Sequence, residues 1–430
     1  MDAPEVHLNL NVRGLSPSAT VAIHELSNEL RAHGRRIFRL GLGQSPFPVP
    51  APVVEALRRQ AGQKDYLPVR GLRELKSAVA KHYREAFDIE RSASGVLVGP
   101  GSKELMFLLQ LVYYGDLVIP TPTWVSYAPQ AQILGRQVRL LPTRKETGWR
   151  LTAEQLDGLC RKDPTRPRLV ILTYPSNPTG LSYDDDELAE LAEIARRYRV
   201  ILLADEIYGR LDHGGTYRSI ARYYPEGTIL SSGLSKWCGA GGWRLGIFLF
   251  PEVLSWLLDA MAVVASESFT STAAPIQHAS VVAFEGGPEI EDYLKRSRTV
   301  LRALARRLVR RLEAAGVDVR LPDGAFYLFP DFGPFRERLA ARGIHDGQTL
   351  CERLLEETGV AILPGSAFGR PEEELTARLA YVDFDGARAL EAVASLADGE
   401  EPDDALLEDS CADLFEAIDR LCDWLQNSDS

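Results

Sequence analysis

The sequence has 430 residues, of which 45% are hydrophobic and 25% charged, and these are ordinary values for a folded globular protein. A formal net charge of −11 argues against a nucleic-acid-binding protein. No apolar run is long enough to span a bilayer, the N-terminus lacks the pattern of a signal peptide, and the five scattered cysteines have no metal-ligand spacing. The composition therefore predicts a soluble cytoplasmic protein that binds neither nucleic acid nor membrane and has no metal site.

The N-terminal part of the chain alternates helical patterns with short apolar runs. After a helical pattern over 21–33, the segment GLGQSPFPVP predicts a fixed loop in which Gly43 lets the backbone approach a ligand closely. Five apolar runs follow, each predicted to be a strand, and helices separate most of them. The runs are centred on Val96, Val118, Ile171, Leu202 and Ile229. Strands that alternate with helices predict an α/β fold with a mainly parallel sheet covered on both faces.

A polar or aromatic side chain follows the end of each predicted strand. These residues are Ser102, Trp124, Asn177, Asp205 and Lys236. Ligands of parallel α/β sheets bind outside the carboxyl ends of the strands, so the shared position points to one site. Taken singly, these residues have ordinary alternatives. Trp124 is equally well a core aromatic, Asp205 a capping residue or salt-bridge partner, and Lys236 a loop lysine with a buried stem.

The first of these strands runs directly into GPGSKEL, which predicts the start of a helix. Backbone N–H groups and the helix dipole at such a start suit a phosphate, and Gly101, Ser102 and Lys103 would supply the site. The indole of Trp124, just past the next strand, can stack on a flat ring. These two features predict a site for a flat, phosphorylated ligand.

Lys236 and Asp205 supply the charged groups of this predicted site. The lysine lies in a glycine-rich turn among small and apolar residues, where desolvation favours the neutral amine that condenses with an aldehyde. Asp205 follows an apolar run, and its carboxylate needs a cationic or protonated partner. Asn177 and Tyr208 can both hydrogen-bond a phenolic oxygen. Together the residues predict pyridoxal 5'-phosphate as the cofactor, with Asp205 beside its protonated ring nitrogen.

The C-terminal part of the chain has a different pattern. A long basic amphipathic helix is predicted over 288–315, with its charged side facing solvent. Three strands with helices between them predict an α+β arrangement. They are expected at 325–330, 360–363 and 377–384. Arg378 lies inside the last of these strands and needs an anionic partner. An acidic, proline-containing stretch over 397–410 predicts an exposed linker before a closing helix at 413–425.

The chain resembles the class I/II aminotransferases, which are fold type I pyridoxal-phosphate-dependent enzymes, over nearly its whole length. The segments that carry the resemblance are GLGQSPFPVP, YLPVRGLRELKSAVA, VGPGSKEL, PTWVSY, YPSNPTG, ADEIYG, LSKWCGAGGWRLG, GAFYLFPDF, VAILPGSAFG and ARLAY. The resemblance implies a large cofactor-binding domain over 45–290, with a mainly parallel seven-stranded sheet flanked by helices. It also implies a small α+β domain built from 1–44 and 291–430, and a homodimer with shared active sites.

The resemblance also implies the catalytic roles. Lys236 is expected to form an aldimine with the cofactor and then to act as general base and acid at the substrate α-carbon. Asp205 is expected to pair with the pyridinium nitrogen. Asn177 and Tyr208 are expected to bind the ring oxygen of the cofactor.

The remaining contacts follow from the same resemblance. Arg378 is expected to bind the substrate α-carboxylate with two parallel hydrogen bonds, beside Gly43 and Asn177. Family members often carry a phosphate-binding serine three residues before the lysine, where this chain has Gly233, so the contact is expected either to come from Ser235 or to be absent. The other implied cofactor contacts are Trp124 on the ring, Gly101, Ser102, Lys103 and Arg244 at the phosphate, and Tyr66 of the partner subunit.

Transamination between an amino acid and a 2-oxo acid is the expected reaction, because it needs only imine exchange and proton transfer by Lys236. The alternative on the same fold is a C–S lyase or a γ-eliminating synthase. A cofactor-binding regulator is disfavoured, because the residues before the Gly41 loop fit the family's N-terminal arm and leave no room for a DNA-binding module.

The sequence leaves the choice of substrate side chain open. Family enzymes for dicarboxylic substrates use a second arginine, which the partner chain lends from the segment that corresponds to SESFTSTAAPIQ. No arginine occurs between Arg244 and Arg296, so a dedicated aspartate aminotransferase is disfavoured. Trp124, Tyr127 and Phe326, near the predicted pocket, leave aromatic or aliphatic substrates open.

Overall fold

Helices and strands alternate along a computed structural model of the protein, which describes residues 7, 9–14, 19–397 and 399–426. Within the N-terminal arm predicted over 1–44, residues 1–6, 8 and 15–18 lie outside the described residues. The helices are α1 Ala19–Ala32, α2 Ala51–Gln60, α3 Arg73–Phe87, α4 Ser102–Val112, α5 Tyr127–Ile133, α6 Ala153–Cys160, α7 Asp185–Arg197, α8 Ser255–Ser268, α9 Ala274–Glu285, α10 Pro288–Ala314, α11 Arg336–Ala341, α12 Gly347–Thr358, α13 Gly386–Ala392 and α14 Asp404–Gln426. None of the helices in these described ranges has the length and apolar character needed to cross a membrane.

The strands form one large sheet and two small ones. They are β1 Phe38–Arg39, β2 Val96–Gly99, β3 Asp116–Thr121, β4 Val138–Pro142, β5 Arg168–Thr173, β6 Ile201–Asp205, β7 Thr228–Gly233, β8 Gly246–Leu249, β9 Tyr327–Leu328, β10 Val360–Ala361, β11 Leu363–Pro364 and β12 Ala377–Ala380. The large sheet has seven strands in the order β2-β8-β7-β6-β5-β3-β4, and only β8 runs antiparallel to its neighbours. The predicted α/β class, with its mainly parallel seven-stranded sheet, is confirmed.

Neighbouring residues of the central strands enter two separate cores, one on each face of the sheet. Leu202 packs into the core that holds α3, α7 and α10, whereas Leu203 packs into the core that holds α4 and α8. Successive side chains of a strand point to opposite faces, so a strand buried on both faces reads as a continuous apolar run. This is why the sequence predicts most strands of the large sheet but not β4, in which every residue is at least partly exposed.

The two small sheets are formed mostly by the C-terminal part of the chain, and their strands are shorter than predicted. The three-stranded sheet has the antiparallel order β11-β12-β9, and β1 pairs with β10 in parallel. The strand predicted at 325–330 is only two residues long, because Ala325 has a φ of 57° and Pro330 has no N–H to donate. The strand predicted at 377–384 ends at Ala380, where the N–H of Val382 turns back to the Ala380 carbonyl.

Two predictions about the C-terminal charges were wrong. The stretch 397–410 is not a linker throughout, because α14 begins at Asp404 and buries Leu407 to 3% exposure. The basic side of α10 does not simply face solvent either. Arg307 pairs with Glu408 at 2.6 Å and Arg310 with Asp404 at 3.6 Å, so the acidic stretch folds against the basic helix.

Candidate active site

A cavity of about 460 Å³ lies at the carboxyl ends of the central strands, and it brings together most of the predicted site residues. Those that line it are Gly43, Ser102, Lys103, Trp124, Asn177, Asp205, Tyr208, Ser235, Lys236 and Arg244. Gly101 adjoins the cavity at the start of α4, and Arg378 lies behind it in contact with Asn177. Tyr66 is 89% exposed and does not line the cavity of its own chain. The shared position at the strand ends thus gathers residues that follow β2, β3, β5, β6 and β7 of the large sheet.

Lys236 lies in the turn after β7, with its amine inside the cavity. The Nζ atom donates a hydrogen bond of 2.6 Å to the carbonyl of Gly43 and lies 5.8 Å from the ring centre of Tyr208. Burial lowers the pKa of Lys236 to about 8, and the nearby positive charge of Arg378 acts in the same direction. The neutral amine, which is the nucleophilic form, is therefore far more populated near neutral pH than in an ordinary lysine, although the protonated form still predominates at pH 7.

Asp205 ends β6 and is 4% exposed. Its Oδ2 accepts a hydrogen bond of 2.6 Å from the Tyr127 hydroxyl, and its Oδ1 accepts one of 3.3 Å from Ser231. Burial raises the pKa of Asp205 to about 6, although these hydrogen bonds oppose the shift. Within the described ranges the carboxylate forms no ion pair, so it is available to a cationic group in the cavity.

Tyr127 is a contact that sequence reasoning missed. It was placed near the pocket only as an aromatic that shapes the substrate side, yet its fully buried hydroxyl bridges Asp205 and Thr173, the latter at 2.7 Å. Its position three residues after Trp124, at the first turn of α5, is the only sequence signal for this contact.

One end of the cavity is built to hold an anion. α4 begins at Ser102 directly after β2, and Gly101 before it has a φ of 92°. A Cβ at Gly101 would overlap the guanidinium of Arg244, so only glycine lets the arginine lie against the helix start. Lys103 Nζ lies 5.0 Å from the Trp124 ring centre. Neither cation pairs with a carboxylate in the part of the chain that the structure describes, and free helix N–H groups face the same point.

The other end of the cavity leads to Arg378, which is 3% exposed. Its guanidinium donates to Asn177 Oδ1 at 3.0 Å and to the Gly41 carbonyl. The rings of Tyr327 and Phe368 lie on it, each with its centre 4.9 Å from Cζ. The anionic partner predicted for Arg378 is not found among the described residues, whose acceptors here are neutral, so a ligand carboxylate would supply the missing charge.

The structure also bears on the predictions made for Gly233 and Phe326. A Cβ at Gly233 would overlap the carbonyl of Leu245, just before the paired strand β8, which explains why no serine stands there, whereas Ser235 lines the cavity. Phe326 does not line the cavity; it packs edge-on against Tyr208, with ring centres 5.6 Å apart. The next residue, Tyr327, instead bonds the Tyr208 hydroxyl at 2.7 Å, and sequence reasoning did not single it out.

These residues fit the group that the sequence predicts. The helix start and Arg244 offer uncompensated positive charge to a phosphate, and Trp124 offers a flat face to a ring. Asp205 offers an unpaired carboxylate to a protonated ring nitrogen, and Lys236 offers a partly neutral amine to an aldehyde. The chemistry of the cavity therefore matches pyridoxal phosphate at each of its polar positions.

The fold and the site together define an enzyme of the pyridoxal-phosphate fold type I class, and comparisons with known proteins agree. The family model for aminotransferase class I and II matches residues 35–389. An aspartate aminotransferase from Bacillus subtilis (strain 168) is 32% identical over 380 residues, covering 86% of this chain and 93% of the relative. An aspartate/prephenate aminotransferase from Cereibacter sphaeroides is 33% identical over 368 residues, covering 83% of this chain and 90% of the relative.

A solved structure gives the same result. The aspartate aminotransferase from Thermus thermophilus with maleate has a TM-score of 0.82 and 29% identity, over 97% of this chain and 100% of that chain. The chain described here therefore belongs to the class I and II aminotransferases, whose members are pyridoxal-phosphate enzymes. It is an aminotransferase, which moves an amino group between an amino acid and a 2-oxo acid.

Proposed function

We propose that this aminotransferase holds pyridoxal phosphate in the cavity, bonded to Lys236, and that it accepts dicarboxylic amino acids as amino donors. The charge balance of the cavity supports both parts. Lys103, Lys236 and Arg244 line it, and Asp205 is the only carboxylate among its described lining residues. A cavity with this excess of positive charge suits anionic ligands.

The cofactor part of the proposal assigns each polar position. The backbone N–H groups at the start of α4, with Ser102 and Arg244, hold the phosphate. Trp124 covers one face of the ring, and Asp205 keeps the ring nitrogen protonated by its opposite charge. When bound, pyridoxal phosphate withdraws electron density from the substrate α-carbon, which makes the α-proton removable.

The chain's own residues then carry out the proton transfer. Once the substrate amine has displaced it from the cofactor, the free Lys236 amine would take the proton from the substrate α-carbon and deliver it to the cofactor C4′ atom, and its lowered pKa suits it to both tasks. Arg378 orients the substrate through its α-carboxylate, with Asn177 fixing the guanidinium.

The substrate part of the proposal rests on Lys103. The phosphate is already served by the helix start and Arg244, and the α-carboxylate by Arg378, so Lys103 is the cation left over. Burial and the charge of Arg244 lower the pKa of Lys103, so a ligand carboxylate beside it would stabilise its charged form. A lysine at this position can replace the second arginine whose absence led us to disfavour aspartate as a substrate. Relatives named as aspartate aminotransferases, and the Thermus structure that contains the dicarboxylate maleate, support this reassignment.

A donor panel with Lys103→Gln tests the substrate assignment. In this variant, kcat/KM for aspartate and glutamate should fall by about 10- to 100-fold, which corresponds to the loss of one charged hydrogen bond. The kcat/KM for aromatic amino donors should change little. Lys145→Gln is the matched control, because that lysine lies outside the cavity and pairs with Asp318 and Asp331. If Lys103 serves the phosphate instead, all donors lose equally and the cofactor dissociation constant rises. If the wild-type protein stays colourless with added cofactor, the cofactor assignment itself fails.

We also propose a homodimer whose sites are completed by Tyr66 of the partner subunit. The support is the 89% exposure of Tyr66, together with exposed Trp256 and Val263 on α8. Hybrid dimers test this. Tyr66→Ala and Lys236→Ala chains, each impaired alone, should regain activity when mixed, because one site of the hybrid then has both residues. No gain on mixing would place Tyr66 in its own chain's site.

A further inference from the structure

Tyr327 contacts both halves of the active site without lining it. The side chain is 1% exposed, and its hydroxyl lies 2.7 Å from the Tyr208 hydroxyl. Its ring centre lies 4.9 Å from Cζ of Arg378. A Cβ on Gly43 would overlap the same hydroxyl, so Tyr327 also touches the backbone whose carbonyl accepts from Lys236. A single buried side chain therefore joins the residues assigned to the cofactor and to the substrate.

The small sheet explains how one residue reaches both. β9 pairs antiparallel with β12, and Tyr327 lies opposite Ala380. Residues 378 and 380 of a strand point to the same face, so the Tyr327 ring lies diagonally across from Arg378 and covers its guanidinium. Phe368 covers the guanidinium as well. The far end of the Tyr327 ring then extends to the hydroxyl of Tyr208.

We propose that Tyr327 is a positioning residue for the transamination, which orients the Tyr208 hydroxyl toward the cofactor ring oxygen and holds the Arg378 guanidinium for the substrate α-carboxylate. The inference rests on the proposed cofactor site. Either hydroxyl can be the donor in the bond between Tyr208 and Tyr327. Because Tyr208 has one proton, it can donate to the ring oxygen only when Tyr327 is the donor of that bond. The hydroxyl of Tyr327 is placed to donate to Tyr208. A hydroxyl that accepts one hydrogen bond becomes a stronger donor in the next, because successive hydrogen bonds polarise one another.

The two functions of Tyr327 are separable, because one belongs to the hydroxyl and the other to the ring. Tyr327→Phe removes the hydroxyl and keeps the ring over Arg378. In the cofactor-loaded protein, the pH midpoint of the visible absorption band should then rise by about 0.4 to 1 unit, because a weaker donor at Tyr208 stabilises the deprotonated chromophore less. The KM for amino donors should stay within about twofold, because the ring remains.

Tyr327→Leu removes the ring as well as the hydroxyl. The same rise in the absorption midpoint is expected, and the KM for all amino donors should rise by about 3- to 10-fold, because the cation–π contact with Arg378 is lost. Tyr381→Phe is the matched control. That hydroxyl is equally buried but bonds the Ala325 carbonyl at 3.3 Å, and it makes no bond to Tyr208 or Arg378 among the described residues.

A double-variant cycle decides whether Tyr327 acts through Tyr208. In a Tyr208→Phe background, adding Tyr327→Phe should cause no further shift of the absorption midpoint. Additive shifts, a wild-type midpoint in Tyr327→Phe, or an equal shift in Tyr381→Phe would each overturn the inference. These outcomes all require a coloured wild-type protein, so they are distinct from a failure of the cofactor proposal, in which no band forms at all.

Discussion

Two regions of the molecule treat their charged side chains in opposite ways. Between α10 and α14, Arg307 is 12% exposed and pairs with Glu408 at 2.6 Å. In the cavity, Lys103, Lys236 and Arg244 form no ion pair with any carboxylate of the described residues, and Lys236 bonds only a backbone carbonyl. In the first region, side chains of the protein neutralise the arginine charges. In the cavity, a bound ligand would have to neutralise the charges.

Two lysines show what the difference does to a single group. Burial lowers the pKa of Lys145, but the hydrogen bonds that its ammonium donates to Asp318 and Asp331 outweigh this effect, and the net shift of the pKa is upward. Burial lowers the pKa of Lys236 to about 8, and no such bonds compensate. Unpaired charge in a cavity costs stability and is retained where a ligand uses it, so the comparison itself locates the functional site.

Removal of Lys236 should give the largest effect. Lys236→Ala should lower kcat by about 10⁴-fold or more, because the proposed general base and acid is lost, and the visible absorbance of the covalently held cofactor should disappear. The cofactor-free variant should unfold no more easily than wild type, because the protonated amine is disfavoured in the folded state below pH 8. Lys145→Ala should keep the activity. An unchanged visible spectrum in Lys236→Ala would remove this lysine from its role.

Arg378→Lys should give the next largest effect. The positive charge remains, but the paired hydrogen bonds to an α-carboxylate and the stacking on Tyr327 and Phe368 are lost. The KM for every amino donor should rise by about 10- to 100-fold, while the cofactor band and its dissociation constant stay near wild type. Steady-state kinetics with several donors check this, and unaffected KM values would contradict the carboxylate assignment.

Asp205→Asn should impair the transamination and, in the cofactor-free protein at neutral pH, raise the free energy of unfolding. Burial raises the pKa of Asp205 from its ordinary 3.8 to about 6, so the folded state favours the protonated acid. The stability from this group is complete below pH 3.8 and is lost as the pH rises through 6. At pH 7 the cofactor-free variant should be more stable than wild type by about 1 to 3 kcal/mol, with no difference near pH 3.5. Urea unfolding at both pH values checks this, and equal stabilities at pH 7 would contradict it.

Glu408→Gln, which removes a charge from the contact between α10 and α14, should give the smallest effect. Glu408 is 57% exposed, so loss of its pair with Arg307 should lower the free energy of unfolding by only about 0.5 kcal/mol. Activity and the cofactor spectrum should remain unchanged. Thermal unfolding and a transamination assay check both points, and a large loss of activity would show that the α10–α14 contact communicates with the cavity.

The interior strands and the edge strand show how much of the fold the sequence revealed. The runs around Ile171 and Leu202 were visible because burial on both faces makes every residue apolar. β4 was missed because Arg139 and Pro142 interrupt its short apolar run, and α6 was missed although Thr152 and Gln155 form a capping box that the sequence carries. Helix α14 began earlier than predicted, because its acidic start is stabilised by arginines about a hundred residues away in the chain.

The sequence by itself determined the α/β order and the place of the site, because apolar runs and the residues that follow them are local features. It also placed Lys236 and Asp205 at neighbouring strand ends. Only the tertiary structure decided which groups meet there: the Gly43 carbonyl with Lys236, Tyr127 with Asp205, and Tyr327 with Tyr208. Each of these contacts joins residues at least 78 positions apart. No local pattern encodes such a pairing, because it depends on how the sheets and helices pack.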